Sequence, residues 1–466
     1  MNNAERPISE LPIMDVDLLV IGAGMAGLTA GAFAASKGLN VGIVEKAPEI
    51  GGSALLAAGG LLKPKSVEAL KAANPGGNPA FADILYSRHD ALIEWISSLG
   101  VSVTPPADGE EAVGVPAIMR GIDIARYIAL CRLEVESSGG WIVTSTQVDS
   151  LDMEDGNVRG AIVHDRDGTI RVQAGHTLLA TGGFQGSEEL RRRYMGEQAA
   201  NMLLRANPFS VGDGLQLGLA AGGATTREMD YFYGHTIPFP LDHEFRPSDY
   251  SRLAMPFMLP RSLLFDKDGQ RFVDESSTYC YDARAVLFQP ESRALLVGDQ
   301  TLLEADAAGF VVNRTLGVEL VDRLADARRA GAHACEAESL EELDRLVAEW
   351  GYKNIAKGIH NFNTSIAKGE NVKPSRKKYA RLYEAPYFAI EVQPAITFTF
   401  GGLEVDDKAQ VLRQDGTVIP GLLAAGADVG GVFCEQYCSG LNMAATFAMQ
   451  AVETVLAKSG KPTMAV

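Results

Sequence analysis

Hydrophobic and polar positions along the chain alternate between two styles. Asp17 to Ile21 is an apolar run of the length of a fully buried strand, Met25 to Lys37 is an alanine-rich stretch of helical length closed by Gly38, and Asn40 to Glu45 is a second buried run. Together they predict a βαβ unit with a parallel pair of strands. Trp141 to Thr146, Val158 to Asp165 and Thr169 to Ala174 read as short strands, the last two joined by the turn residues RDG, as in a small antiparallel addition to a parallel sheet. HTLLATGGF is a buried strand that runs into a glycine turn. From Met229 to Glu384 the pattern changes to scattered aromatics and prolines, with an amphipathic helix through SLEELDRLVAEW. The buried, glycine-punctuated style returns at Phe388, continues through EVQPAITFTFGGLEV and PGLLAAGADVGG, and ends in a helix over Asn442 to Leu456. The pattern predicts an α/β domain built from residues 1–228 and 385–466, interrupted by an inserted α+β domain over 229–384.

Composition narrows the function classes. At 466 residues, 46% hydrophobic and 22% charged, the chain has the make-up of a globular enzyme and is too long for one ordinary core. A net charge of −17 with no basic block disfavours nucleic acid and anionic membrane surfaces as partners. Cysteines stand at 131, 280, 335, 434 and 438 with no CxxC pair, which predicts neither a zinc site nor a disulfide framework and fits a reducing cytoplasm. The opening MNNAERPISELPIMD carries charges and prolines where a signal peptide would be apolar, and no uncharged apolar run approaches about 18 residues. Neither export nor a membrane span is expected, and no metal centre.

Gly22, Gly24 and Gly27 form GxGxxG between the first strand and the first helix. The first permits a tight turn, the second lets backbone approach a pyrophosphate, and the third packs helix on strand, with the positive helix end facing the phosphates. Glu45 closes the following strand, where a carboxylate accepts from a ribose diol. Strand, helix and acid together point to a dinucleotide. Lys46 to Gly60, KAPEIGGSALLAAGG, adds Gly51, Gly52 and Ser53 in a loop able to run beneath an extended cofactor, which favours FAD over NAD.

At LLATGGF, VGDGLQLGLAAGG, LLFDKDGQRFVDE and GLLAAGADVGGVF the chain resembles the flavoproteins of the fumarate reductase and succinate dehydrogenase family, with their 3-ketosteroid dehydrogenase relatives. The resemblance runs in family order over almost the whole chain. It implies a Rossmann-like FAD-binding domain with an inserted capping domain. It also implies that Ala180, Thr181 and Gly182 approach the adenosine half, that Val148 offers backbone to the adenine, and that Asp213 and Asp428 line the ribityl and phosphate path. Ala26, Gly59, Gly60 and Asn442 complete the implied cofactor set. Members with covalent flavin carry a histidine in the GGSALLAAGG loop, and none stands there, so non-covalent FAD is implied.

The dicarboxylate enzymes of the family hold substrate with arginines and histidines, because carboxylates need charged donors. Here the arginine position four residues past RFVDE is Tyr279, the arginine position after GGV is Tyr437, and the histidine ahead of TxGG is Phe398. Only the histidine of MDYFYGHTIP is retained, as His235. A fumarate or succinate site is therefore disfavoured. Tyrosines at these positions resemble the ketosteroid dehydrogenases, and YCSG resembles the 4,5-desaturating branch. The implied roles are Tyr437 with an amide near Gly440 or Leu441 for a ketone oxygen, Tyr279 as base or relay, and Ser439 tuning Tyr437 by hydrogen bonding; the two tyrosine roles are exchangeable. Tyr281 competes with Tyr279, and His235 is either a core histidine or a substrate donor. Tyr231, Phe232, Tyr233, Phe239, Phe245, Met255, Phe257 and Met258 form either a cleft for a hydrophobic ketone or the inserted domain's core. Cys434 and Cys438 are assigned to apolar packing.

The leading expectation is a flavin desaturase of a steroid or smaller cyclic ketone, acting between the two domains, with a quinone or other acceptor taking the electrons. One alternative is a reductase of an activated alkene, with Arg261 or Arg284 binding its carboxylate. The other is a flavin-binding protein without turnover.

Overall fold

The computed structural model describes residues 11–108, 115–277, 279–307, 310–313, 317–376 and 381–459. The chain forms two compact units, Met1–Leu190 with Ala206–Tyr231 and Phe398–Val466, and Arg191–Arg205 with Phe232–Thr397.

In the first unit the βαβ pattern becomes the strand Ile13–Ile21, the helix Met25–Ser36 and the strand Val41–Val44. Both strands are buried where they pair, Leu18 with Val41 through Ile21 with Val44, in parallel. The eight-stranded sheet runs Gln410–Leu412, Val418–Ala424, Gly168–Leu179, Ile13–Ile21, Val41–Val44, Trp141–Val143. Thr169 to Ala174 and HTLL, read from sequence as separate strands, are one strand. Its first half pairs on one side with Ile13–Val16 and on the other, antiparallel, with Asn157–Asp165. Asn157–Asp165 pairs in turn with Gln147–Glu154, so the antiparallel addition is a three-stranded arm. The final helix, Gly440–Ser459, packs against the first, an apolar pairing of small-residue faces.

The second unit is centred on the long strand Tyr387–Thr399. Alternate residues of its sheet feed two cores. Leu264, Leu296, Phe388, Ile390 and Val392 face Met255, Met258, Val286 and Leu324. Leu263, Phe265, Leu295, Val297 and Ala389 face Leu343 and Val347 of the helix Leu340–Ala348, and Ile355, Ile359 and Phe362 of the helix Ile355–Ala367. The period of two in the strands and the apolar stripe of the amphipathic helix thus meet on one face. The sequence placed residues from 385 onward in the first domain; instead Tyr387–Thr399 pairs with Ala294–Gly298 and Ala334–Ala337, and with Leu203–Leu204, which draws 191–205 into the second unit. No described helix is long and apolar enough to cross a membrane.

Candidate active site

The turn after the first strand is built around glycine geometry. Gly22 has φ +103°, and a Cβ there would lie 2.3 Å from the Ala180 carbonyl oxygen. A Cβ at Gly27 would lie 1.8 Å from the Gly22 oxygen, so helix and turn are in direct backbone contact. Gly24 differs, because a Cβ at this helix N-cap would meet nothing within 4 Å. The space above it is bounded by Gly52, whose Cβ would approach the Gly24 Cα at 3.3 Å. Gly51, with φ +114°, donates from its amide to the Ala23 oxygen. Glu45 accepts from the amides of Ala23 and Ala47, both at 2.7 Å, and the buried carboxylate therefore sits beside the turn. Ala26 lies on the buried face of the helix next to Gly426.

A second hub lies where LLATGG ends. Thr181 donates from its amide and hydroxyl to the Asp428 carboxylate, Gly183 adds a 3.4 Å amide bond, and the Thr181 hydroxyl accepts from the Gly214 amide at 2.9 Å. Burial pushes Asp428 up to about 6 against the pull of the Thr181 donors. Asp213, first residue of the helix Asp213–Ala220, pairs with Lys46. Ser53 accepts from the Asn207 amide, which ties the GGS loop to the same region. Gly59 and Gly60 enter the strand Gly60–Pro64, and Gly182 takes φ +96° beside Ser210. Val148 lies in the antiparallel arm, opposite Val163.

At the far end of this path the helix Gly440–Ser459 begins. Ser439, at φ +67°, donates to the Gly60 oxygen and accepts from the Asn442 amide, both at 3.2 Å. It is a helix cap anchored to the cofactor loop, which takes up the hydroxyl expected to tune Tyr437. The amides of Gly440 and Leu441, first-turn donors, have no acceptor among the described residues. Asn442 Oδ1 meets His89 Nδ1 at 3.0 Å, while its Nδ2 is buried without a partner among the described residues. Four rings close a circuit ahead of this helix: Phe398 to Tyr437 at 6.0 Å, Tyr437 to Phe433 at 6.0 Å, Phe433 to Phe400 at 5.6 Å and Phe400 to Phe398 at 5.6 Å. Phe400 and Phe433 are buried, while Phe398 and Tyr437 are half-buried and form the accessible edge, with Gly440 against the Phe398 ring.

The remaining expected residues belong to the second unit. His235 lies in the strand Phe232–Pro238, buried, with Nε2 3.5 Å from the Tyr233 hydroxyl. Burial holds its pKa well below the usual histidine value, and the Arg205 charge adds to this, so the ring is neutral at pH 7. Tyr279 opens the helix Tyr279–Leu287, but its side chain lies outside the described residues. Tyr281 is exposed. Of the residues assigned to a substrate cleft, Met255 and Met258 are fully buried core, Phe232 is buried and Phe245 packs against a small cluster around Ile237, whereas Phe257 is 59% exposed. The buried ones satisfy the sheet's need for an apolar cover, the inserted-domain core that was the alternative reading of these residues. Burial pushes the Cys438 thiol up to about 12 and raises Cys434 as well, which leaves both as packing groups.

Two residues carried no sequence signal. Arg205 donates to Thr397 Oγ1 and the Tyr250 oxygen and lies 4.6 Å over the Tyr250 ring. Asn74, in a turn of the form NPGGN, accepts from three amides of the segment before Tyr437.

The donor set fits FAD: a turn with backbone space at Gly24, an acid at Glu45, and orphan donors at Gly440, Leu441 and Asn442, joined by the GGS and ATGG loops. Residues 17–440 match the family described as FAD binding domain. Over 454 residues the chain is 26% identical to the fumarate reductase (cytochrome) of Shewanella frigidimarina, an alignment covering 92% of this chain and 74% of that protein. Among solved structures it resembles the 3-ketosteroid-delta4-(5alpha)-dehydrogenase of Rhodococcus jostii RHA1, with a TM-score of 0.73 at 20% identity over 95% of this chain and 96% of that one. The 3-ketosteroid delta1-dehydrogenase of Sterolibacterium denitrificans gives a TM-score of 0.76 at 18% identity over 95% and 100%. At such identities the two structures speak for the fold. The chain belongs to the FAD binding domain family and is an FAD-dependent oxidoreductase akin to the fumarate reductase flavoproteins.

Proposed function

We propose that this flavoprotein is a dehydrogenase that introduces a carbon-carbon double bond beside the ketone of a steroid or smaller cyclic substrate. The observation that supports it best is the aromatic edge of Phe398 and Tyr437, backed by Phe400 and Phe433. Such a surface accepts a flat apolar ring and offers no charge to a dicarboxylate. Tyr437 donates its hydroxyl to the ketone oxygen, assisted by the amide of Gly440 or Leu441 at the positive end of a 20-residue helix. Donors so placed stabilise the enolate character that develops when the alpha proton leaves. Tyr279 receives that proton, and its role is exchangeable with that of Tyr437. FAD, held over the turn at Gly24 and beside Glu45, would supply the acceptor for the hydride that leaves the neighbouring carbon. A quinone or other acceptor then removes the electrons.

Anaerobic mixing with a panel of 3-ketosteroids and cyclohexanones is expected to bleach the flavin. Tyr437→Phe is expected to slow bleaching by roughly 10²- to 10³-fold without releasing FAD, the usual cost of one oxyanion donor. No bleaching with any ketone would refute the proposal.

Kinship with a protein named fumarate reductase supports a second reading, reduction of an activated alkene with electrons supplied from outside. Arg261, which is exposed, or Arg284, which lies 5.1 Å over the Phe288 ring, would then have to bind the carboxylate. Rapid oxidation of a reduced dye by fumarate or another enoate would favour it.

A further inference from the structure

Tyr437 is useful as a donor only if its backbone is fixed, and the segment that carries it has little regular structure: Gly430 to Ser439 contains no helix or strand. What holds this segment comes from more than 350 positions away. Asn74 ends the helix Val67–Ala73 and is buried. Its side-chain oxygen accepts from the amides of Cys434 at 2.9 Å, Glu435 at 3.1 Å and Gln436 at 3.0 Å. The same turn grips the segment again through the Asn78 amide, which donates to the Gly431 oxygen at 2.9 Å. Close packing completes the hold: a Cβ on Gly77 would lie 3.2 Å from the Gly431 oxygen, and one on Gly76 would lie 3.3 Å from the Cys434 sulfur. On the other side of Tyr437, Ser439 is tied to Gly60.

We propose that Asn74 is a positioning residue for the reaction, gathering three successive amides so that Tyr437, the next residue along, holds its hydroxyl where the substrate oxygen binds. This rests on the proposed role of Tyr437. Three N–H groups converging on one oxygen exceed the two lone pairs of a carbonyl and form a concavity of positive potential suited to an anion. The amide of Asn74 gives little in return, since among the described residues its Nδ2 reaches only the Leu70 oxygen, at 3.5 Å. A carboxylate of the same shape therefore keeps the acceptor for all three amides and gives up one weak donor.

The test compares Asn74→Ala with Asn74→Asp in the full-length, FAD-loaded protein. Asn74→Ala is expected to raise hydrogen exchange at the amides of 434–436 and to lower kcat for flavin reduction roughly 10- to 100-fold, the cost of leaving buried donors unpaired. FAD affinity and KM should stay near wild type, and Asn74→Asp should restore both protection and rate. Combined with Tyr437→Phe, Asn74→Ala should add little further loss, because the two act through one hydroxyl. If Asn74→Ala does not fold, Asn74→Ser, whose hydroxyl falls short of the amides, supplies the graded version. Unchanged exchange at 434–436, failure of Asn74→Asp to rescue, or a full additive loss with Tyr437→Phe would each overturn the proposal. Exchange needs no substrate, so a wild type inert to every ketone would refute the desaturase proposal while the clamp stood or fell on exchange and rescue alone.

Discussion

Replacing Gly24 by alanine separates the two jobs of the glycine turn. Gly24 has φ −82° and ψ −163°, extended values open to alanine, and its Cβ would meet no protein atom within 4 Å. Alanine is a poorer N-cap than glycine by up to about 1 kcal/mol. The lost freedom of the unfolded chain returns about 0.4–1 kcal/mol. The apoprotein should therefore change in stability by no more than about 1 kcal/mol in either direction, the range of the difference between these terms. The cofactor is affected differently, because the second glycine of the motif is where backbone approaches the pyrophosphate. A methyl forced into that approach costs about 1–3 kcal/mol, roughly a 5- to 150-fold rise in Kd for FAD. Apoprotein titrated with FAD while flavin fluorescence is followed gives Kd, and urea unfolding of the same apoprotein gives stability. Gly27→Ala is the control, because its Cβ would lie 1.8 Å from the Gly22 oxygen and the fold itself should fail. A wild-type Kd for Gly24→Ala, or an apoprotein weakened as much as the Gly27→Ala protein, would refute the placement of the pyrophosphate over Gly24.

Two further outcomes concern the second unit. Asp282 is 1% exposed, neither of its oxygens has a hydrogen-bond partner among the described residues, and burial followed by the nearby charges of Glu275 and Asp274 raises its pKa well above 3.8, with Arg376 pulling the other way. The folded protein thus keeps a proton that the unfolded chain has released, and stability falls as pH rises above about 3.8, by about 1.4 kcal/mol per pH unit until the folded form ionises too. Asp282→Asn should be more stable than wild type at pH 8 and converge with it near pH 4; urea midpoints showing a pH-independent gap would refute this. Arg376 is fully buried and donates to the Ser262 and Pro260 oxygens and to Glu275, which also binds Arg271 and the Leu264 amide. Arg376→Met should cost about 3–5 kcal/mol by leaving carbonyls and a carboxylate short of charge, and a loss under about 1 kcal/mol in chemical unfolding would show that Arg271 alone suffices for Glu275.

How much of this was legible depends on whether the constraint is local. The glycine turn could be read because each glycine answers to a neighbour set by the strand-turn-helix path, and its acid lies one strand away. Ser439 could not, since its left-handed backbone and its bond to Gly60 arise from a loop hundreds of residues earlier. The unit boundary shifted for the same reason: nothing in Leu203 and Leu204 announces that they pair with Ala395 and Ile396. Met255 and Met258 fall to the second of the two readings the sequence left open, apolar residues that serve the sheet beneath them.

Overall similarity and local chemistry support different proposed reactions, and the two make different demands on the site. The 26% identity to a fumarate reductase extends across 92% of this chain, whereas choice of substrate turns on a few side chains. Taking a carboxylate out of water without a cation costs several kcal/mol, and a dicarboxylate doubles the demand. Against that, the half-buried rings of Phe398 and Tyr437 offer one hydroxyl and carry no charge of their own. A flat ketone makes no such demand: it buries apolar area at about 25 cal/mol per Å² and needs only donors for one oxygen. The shared cofactor framework is therefore compatible with either reaction, and the proposed ketone reading rests on the uncharged rings of that edge.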